Sequence, residues 1–189
     1  MRASAVAGLV FANINDELLK KLTSKRSMAS VPFGARYRLI DFPLSNLVNE
    51  GISSVGIITK ENYRSLMDHV GSGVYWDLDR KSGGLYLLPP YLTSGVKRYH
   101  GTVDALYGAR DYIDRCKADY IVICNADVIS NIDISAAVDR HIENGADPAV
   151  VGAENWGITV IGDNLAVGKN AVVSPDKMIT ENVKEGEKI

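Results

Sequence analysis

The chain has 189 residues, 46% of them hydrophobic and 23% charged, enough to bury one substantial core and leave a small appendage. With 21 Lys and Arg against 23 Asp and Glu it is almost neutral, and it lacks the dense cationic surface that nucleic-acid binding requires. It carries only two cysteines, Cys116 and Cys124, and no apolar run long enough to cross a bilayer, which points to a cytoplasmic protein with no membrane partner. His69, His100 and His141 have no neighbouring ligands at zinc spacing, so no zinc site is expected.

The first predicted element is a strand over Ala5 to Phe11, apolar without alternation, as suits a parallel strand covered on both faces. The turn after it, Ala12-Asn13-Ile14-Asn15-Asp16-Glu17-Leu18, stands where a nucleotide-binding α/β fold would carry a glycine-rich phosphate loop. Such a loop holds a triphosphate with backbone N–H groups that glycines leave accessible; an isoleucine and two carboxylates suit it badly. Lys20, Lys21, Lys25 and Arg26 follow, either as a solvated basic face or as an anion contact beside the loop.

Leu44, Leu47 and Val48 then mark one face of a helix that stops at Gly51, and Val55 to Thr59 reads as a second buried strand. Residues 71–100, with Gly83-Gly84 and Pro89-Pro90, read as a long irregular connection of the kind that carries binding roles. Val103, Leu106, Ala109, Tyr112 and Ile113 form a second helical stripe, and Tyr120 to Cys124 a third strand with Cys124 as a buried, inert thiol. A third helix starts from Asp133 as N-cap, carries Ile134, Ala137, Val138 and Ile142 inward, and ends at Gly145. Strands alternating with helices predict an α/β fold, a doubly wound, mostly parallel Rossmann-like sheet with right-handed crossovers.

Beyond Asp147-Pro148 the pattern changes. Ile161, Val167, Val173 and Ile179 recur every six residues, and Gly162 and Gly168 follow the first two, as in a hexapeptide-repeat left-handed β-helix. The predicted organisation is therefore an α/β domain over residues 1–151 and a β-helix segment over 152–189. So few coils cannot bury their own faces, so this segment should pack on the α/β domain, on a second chain, or on both. A hexapeptide-repeat acyltransferase would rest on residues 161–180 alone, where no catalytic histidine is evident.

Three stretches carry a family resemblance: Leu22-Thr23-x-x-Arg26, the long run Pro32-Phe33-Gly34-Ala35-Arg36-Tyr37-Arg38-Leu39-Ile40-Asp41-Phe42-Pro43-Leu44-Ser45-Asn46, and Gly101-Thr102-Val103-Asp104-Ala105-Leu106-Tyr107. In these the chain resembles the bacterial glucose-1-phosphate adenylyltransferases (ADP-glucose pyrophosphorylases) of glycogen synthesis. Trp76-Asp77-Leu78-Asp79-Arg80 brings it nearest to the regulatory D-type subunit. The resemblance implies a nucleotidyltransferase sheet, Mg²⁺ as cofactor, and a reaction in which a glucose-1-phosphate oxygen attacks the α-phosphorus of ATP. It implies Asp127 as metal ligand and catalytic carboxylate, and Arg26, Gly101, Thr102 and Asp104 as nucleotide contacts.

The departures from the family pattern weigh against activity. Counting back from Leu22-Thr23 places Asn13, Ile14 and Asp16 at the loop's three glycines and Leu18 at its arginine, and Arg26-Ser27-Met28-Ala29 loses the family's lysine. A carboxylate facing a phosphate at ~4 Å costs about 1 kcal/mol in water-like surroundings and about 4 at an effective dielectric of ~20. With a charged hydrogen bond of ~1.5 to 3 kcal/mol also lost, productive ATP binding should fall at least about a hundredfold. The family's catalytic domain is also longer, and near Val151-Gly152 the sequence passes directly to the repeats, so the chain reads as internally shortened, with an incomplete sheet and no full sugar site.

The resemblance then implies a non-catalytic or weakly catalytic regulatory subunit. It would assemble with a catalytic homologue, or with itself through the β-helix segment, and meet ATP and glucose 1-phosphate at the level of the complex. The alternative is a working adenylyltransferase using Asp127 and Mg²⁺, with Arg26 or a lysine near Lys20 replacing the lost cations. Bland readings stand beside each site residue: Asp127 as a turn or cap aspartate, Thr102 and Asp104 as the start of a helix, Arg36 and Arg38 as surface ion-pair partners. Trp76 and Trp156 read as packing or interface residues.

Overall fold

In the computed structural model, described over residues 6–13, 16–90, 99 and 101–143 and over the backbone of 160–161 and 178–179, β1 (Val6–Phe11) is buried along its whole length. It sits inside the sheet, between β4 (Ser54–Ile58) and β6 (Tyr120–Asn125). β5 (Gly84–Leu88) pairs with the far side of β4, giving the order β5-β4-β1-β6 with every pair parallel. Gly8 faces Val55 on one side and Val122 on the other, and Ile57 faces Leu87. The expected parallel α/β layer is thus present.

Helix α1 (Asp41–Asn49) lies against β1 through Leu44 and Leu47, both fully buried. A Cβ at position 8 would come within 2.8 Å of Leu47 Cδ1, so Gly8 is what lets the helix lie this close to the strand. Each buried leucine contributes on the order of 1.5 to 3 kcal/mol. The helix ends as expected at Gly51, whose N–H donates to Val48 O (2.8 Å) while Ile52 N–H reaches Leu47 O (3.1 Å). Ile40, Leu44, Leu47, Ile52, Ile57 and Leu66 form the centre of the core. A short antiparallel hairpin, β2 (Pro32–Phe33) and β3 (Tyr37–Arg38), leads into α1.

Several local expectations are corrected. Residues 71–100 are not one irregular connection, for they contain β5, the outer strand of the sheet, and a 3₁₀ turn at Val74–Trp76. Helix α2 (Arg64–Val70), buried through Leu66 and Val70, has no counterpart in the reading above. The stripe from Val103 to Ile113 is two helices, α3 (Thr102–Gly108) and α4 (Arg110–Cys116), meeting at Ala109. Ala105, Leu106, Ala109 and Tyr112 turn inward, and Val103 is exposed. Helix α5 (Ile134–Glu143) is capped as expected, Ala136 N–H donating to Asp133 Oδ1 at 2.8 Å, with Ile134 and Val138 buried. Ala137 and Ile142 are exposed instead, and the expected stop at Gly145 lies outside the described residues.

Among the described residues the Arg38 guanidinium meets no carboxylate: its Nη1 donates to Ser65 O (2.6 Å) and Ser65 Oγ (2.8 Å), tying β3 to α2, while its backbone N–H donates to Asp41 Oδ2 (2.9 Å). His69 Nε2 and Asp41 Oδ1, 2.6 Å apart, join α2 to α1. Trp76 packs on the core and meets His69 edge to face, the packing role expected of it. Cys124 is half-buried on β6, and its burial pushes the thiol up to about 11.

The chain divides into two compact units, Met1–Glu143 and Asn144–Ile189. In the second, β7 (Val160–Ile161) pairs in parallel with β8 (Met178–Ile179), Ile161 facing Ile179. The expected boundary after residue 151, Trp156, and the hexads at Val167 and Val173 lie outside the described residues. Among the described residues no helix is long and apolar enough to cross a membrane.

Candidate functional site

An open parallel sheet presents its ligand cleft outside the carboxyl ends of the strands, where the strand order reverses. Here the chain builds β1, β4 and β5 in one direction and returns to place β6 on the other side of β1. The reversal falls between Phe11 and Asn125, paired at the ends of β1 and β6. Ala126 N–H donates to Phe11 O (2.9 Å) and Ala12 N–H to Ile58 O (2.9 Å), carrying the ladder one step past the strands. Asn13 and Asp127, the next residues of the two strands, therefore emerge at this point, and Lys60 emerges beside them two residues after β4.

Asn13 is 3% exposed and closes a hydrogen-bonded knot where a phosphate loop would run. Its Nδ2 donates to Asp16 Oδ2 (2.6 Å) and Glu61 O (3.4 Å), and its Oδ1 accepts from Lys60 N–H (3.0 Å). The other Asp16 oxygen accepts from Met28 N–H at 2.6 Å, and Thr23 Oγ1 donates to Asp16 O. Residues 16–19 form a 3₁₀ turn without a buried side chain. A carboxylate of the chain itself thus takes up N–H donors on the wall of the cleft, and an anion arriving there would meet its charge.

That cleft encloses about 470 Å³ and is lined by Asn13, Asp16, Glu17, Lys20, Thr23, Ser24, Lys60, Glu61, Asn62 and Tyr99. Both carboxylates expected to face an incoming phosphate do line it, and among the described residues Glu61 adds a third beside Lys20 and Lys60. The two N–H donors at 2.6 Å absorb part of the charge of Asp16, which softens the repulsion expected of a bare carboxylate. Leu18, at the family's arginine position, is exposed and supplies no cation. Of the basic cluster, Lys20 reaches the cleft; Arg26, half-buried, is not among its lining residues.

A second, smaller hollow of about 90 Å³ adjoins the first through Asn13 and Lys60, and Gly101, Thr102 and Ala105 form its other wall. Two of the expected nucleotide contacts thus meet the degenerate loop. Gly101 rather than Thr102 is the N-cap of α3, in extended backbone (φ −179°), and no side chain caps the helix. Asp104 sits in its first turn, where a carboxylate offsets the helix dipole. Among the described residues no group of three or more His, Cys, Asp or Glu could hold a metal ion. Asp127 at the end of β6 therefore belongs to no such group among the described residues, and a hard divalent ion there would need further oxygen ligands, such as a substrate's phosphates, to complete its coordination.

The sequence reading missed Lys60, Glu61, Asn62 and Tyr99. The rule that selected Asp127, a polar residue just past a central strand, applies equally to Lys60 after β4 and could have found it.

The parallel sheet with its ligand cleft at the strand-order reversal defines an α/β nucleotide-binding fold. Residues 17–159 match the family described as Nucleotidyl transferase, and the chain belongs to that family. It is 48% identical over 141 residues to the glycogen biosynthesis protein GlgD of Geobacillus stearothermophilus, a match covering 74% of this chain and 41% of that protein. It is 45% identical over 133 residues to a glucose-1-phosphate adenylyltransferase of Bacillus thuringiensis (70% of this chain, 35% of the relative). A third match, 40% over 146 residues, is to the glucose-1-phosphate adenylyltransferase of Halalkalibacterium halodurans (77% and 38%). The chain thus spans about 35 to 41% of the length of these relatives. A Bacillus anthracis protein described as a glucose-1-phosphate thymidylyltransferase, crystallised with sucrose, shares the fold (TM-score 0.60, 19% identity, covering 83% of this chain and 54% of that one).

Proposed function

We propose that this chain is the nucleotidyltransferase-like part of a regulatory subunit, non-catalytic or weakly catalytic, in a complex that makes ADP-glucose from ATP and glucose 1-phosphate for glycogen synthesis. The observation that carries the reading is the Asn13–Asp16 knot: the wall that would have to cradle polyphosphate is closed by a carboxylate of the chain and bordered by Glu17 and Glu61. The strong match to GlgD agrees with it. Gly101 and Thr102 still face the same region, so the nucleoside end of a ligand has a place to lie while the phosphate end meets negative charge.

Partner assembly belongs to the same proposal. The pairing of Ile161 with Ile179, three hexads on, is the spacing of one full turn of a hexapeptide coil, and it supports a β-helix segment that stacks on a neighbour. Regulation through such a contact requires that the catalytic partner's active and inactive states touch this subunit differently.

The test is to assay the purified chain alone and after co-expression with a catalytic homologue. The expected result is co-elution, an altered response of the partner to its effectors, and negligible ADP-glucose synthesis by the chain alone. Ordinary enzymatic turnover by the isolated chain would overturn the proposal. A working adenylyltransferase stays as the second reading because Lys20 and Lys60 both line the cleft and could stand in for the lost cations. Micromolar affinity for Mg-ATP in a calorimetric titration would favour it.

A further inference from the structure

The cleft beside the Asn13 knot suits a ligand that is neither an anion nor a cation. Among the described residues its charged lining is three carboxylates, Asp16, Glu17 and Glu61, against two ammonium groups, Lys20 and Lys60, so the balance is one negative charge with both signs present. The rest is amide and hydroxyl, from Asn13, Asn62, Thr23 and Ser24, with Tyr99 as an aromatic wall.

Internal hydrogen bonds decide which of these groups a ligand can use. Asp16 is taken up by Asn13 and Met28, and the Thr23 and Ser24 hydroxyls reach Lys20 O (3.2 Å) and Lys21 O (2.9 Å). Among the described residues no hydrogen bond or ion pair holds the Glu17 carboxylate or the Lys20 and Lys60 ammonium groups. Tyr99 is fixed in place. Its Oη donates to Pro89 O (3.3 Å), and its ring lies so close to α3 that a Cβ at Gly108 would come within 2.6 Å of Tyr99 Cε1.

Either charged class of ligand meets repulsion on this lining. A phosphate drawn to Lys20 and Lys60 faces the three carboxylates, and an amine drawn to the carboxylates faces the two lysines. A hydroxyl meets neither obstacle: it donates to a carboxylate, accepts from an ammonium group and carries no charge. Hydrogen bonds with one charged member are also the stronger kind. A ring bearing several hydroxyls, with an apolar face of C–H groups to lay against an aromatic side chain, satisfies the whole set.

We propose that this cleft binds a neutral oligosaccharide, its hydroxyls on Glu17, Lys20 and Lys60 and one sugar face on Tyr99. Its volume of about 470 Å³ lies within the range of ligand pockets, roughly 300 to 1,000 Å³. The turn after β1 then has two separate uses for its carboxylates: Asp16 locks the loop, and Glu17 serves the ligand. The choice of saccharide rests on the regulatory-subunit reading above, under which the fitting occupant is the end of an α-1,4-linked glucan, the polymer that the complex serves.

The experiment is titration of the full chain with maltotriose, followed by calorimetry and saturation-transfer NMR, with spermidine and pyrophosphate as the cationic and anionic probes. Saturable maltotriose binding, tighter than that of either charged probe, is expected. Glu17→Ala, on an exposed side chain, and Lys60→Ala should each weaken it at least fivefold. Arg115→Gln, in the last turn of α4, should leave it within twofold. No saturable maltotriose binding, binding unchanged in both Glu17→Ala and Lys60→Ala, or tighter binding of spermidine or pyrophosphate would each overturn the proposal. None of these readouts involves ADP-glucose synthesis or a partner subunit. A regulatory subunit that takes no saccharide and a saccharide-binding chain that regulates nothing therefore give different results.

Discussion

Replacing Asp16 by alanine tests whether the loop after β1 is held by an internal anion. The carboxylate accepts two N–H groups at 2.6 Å, one from the backbone of Met28 and one from the buried Asn13 side chain. Hydrogen bonds to a charged group are worth about 1.5 to 3 kcal/mol each when fully buried. Asp16 is only half-buried and water can replace part of the loss, so the expected destabilisation is about 2 to 3 kcal/mol. For a chain of this size that lowers Tm by roughly 5 to 10 °C. Asp16→Asn, which keeps an acceptor oxygen, should lose about half as much. In a double-mutant cycle with Asn13→Ala the two changes should couple by about 1 kcal/mol, because each removes the other's partner.

The same substitution should change ligand binding in the opposite direction. Removing one negative charge at ~6 Å from a phosphate relieves between about 0.7 kcal/mol in water-like surroundings and about 3 at an effective dielectric of ~20. Affinity for pyrophosphate should therefore rise roughly three- to a hundredfold, measured by titration at low salt. A variant as stable as the parent within ~0.5 kcal/mol, with unchanged pyrophosphate affinity, would refute the idea that this carboxylate occupies the cradle.

Two further perturbations bear on the scaffold. Gly83→Ala sets a Cβ 2.7 Å from Ser53 O at a backbone φ of +78°, so it should cost about 1 to 3 kcal/mol in a urea melt. An alkaline series should show a loss of stability: burial holds the Cys124 thiol up at about 11 and the Tyr112 phenol above its ordinary range. Both groups keep their protons more tightly folded than unfolded. Stability is thus intact below the unfolded values, about 8.5 for a thiol and about 10 for a phenol, and declines as pH rises past them. Urea midpoints should fall between about pH 9 and 11, and less steeply in Cys124→Ala.

The parts of the fold legible in the sequence were those with an uninterrupted signal. β1, β4 and β6 are runs of apolar or small residues, and Asp133 announces α5 with its side chain before the helix begins. β5 escaped because Gly83-Gly84 and Pro89-Pro90 bracket it so closely that turn chemistry masks a five-residue strand. The single stripe from Val103 to Ile113 was misread because the chain breaks at Ala109, and the break rotates Val103 outward while Ala105 takes its place.

At the site, the missing glycines and the two carboxylates were plain from the residues. What they do with one another was not, since the Asn13 contacts to Lys60 and Glu61 span strands that only the fold brings together.

The position of β1 also governs how the chain must be made. Its six apolar residues are synthesised well before β6, so Val6 finds Tyr120, and Phe11 finds Asn125, only after everything between them has left the ribosome. Until then one edge of Val-Ala-Gly-Leu-Val-Phe stays unsatisfied, a sequence of the kind that pairs readily with copies of itself. Such distant pairing slows folding, so productive maturation depends on keeping nascent chains apart until β6 arrives.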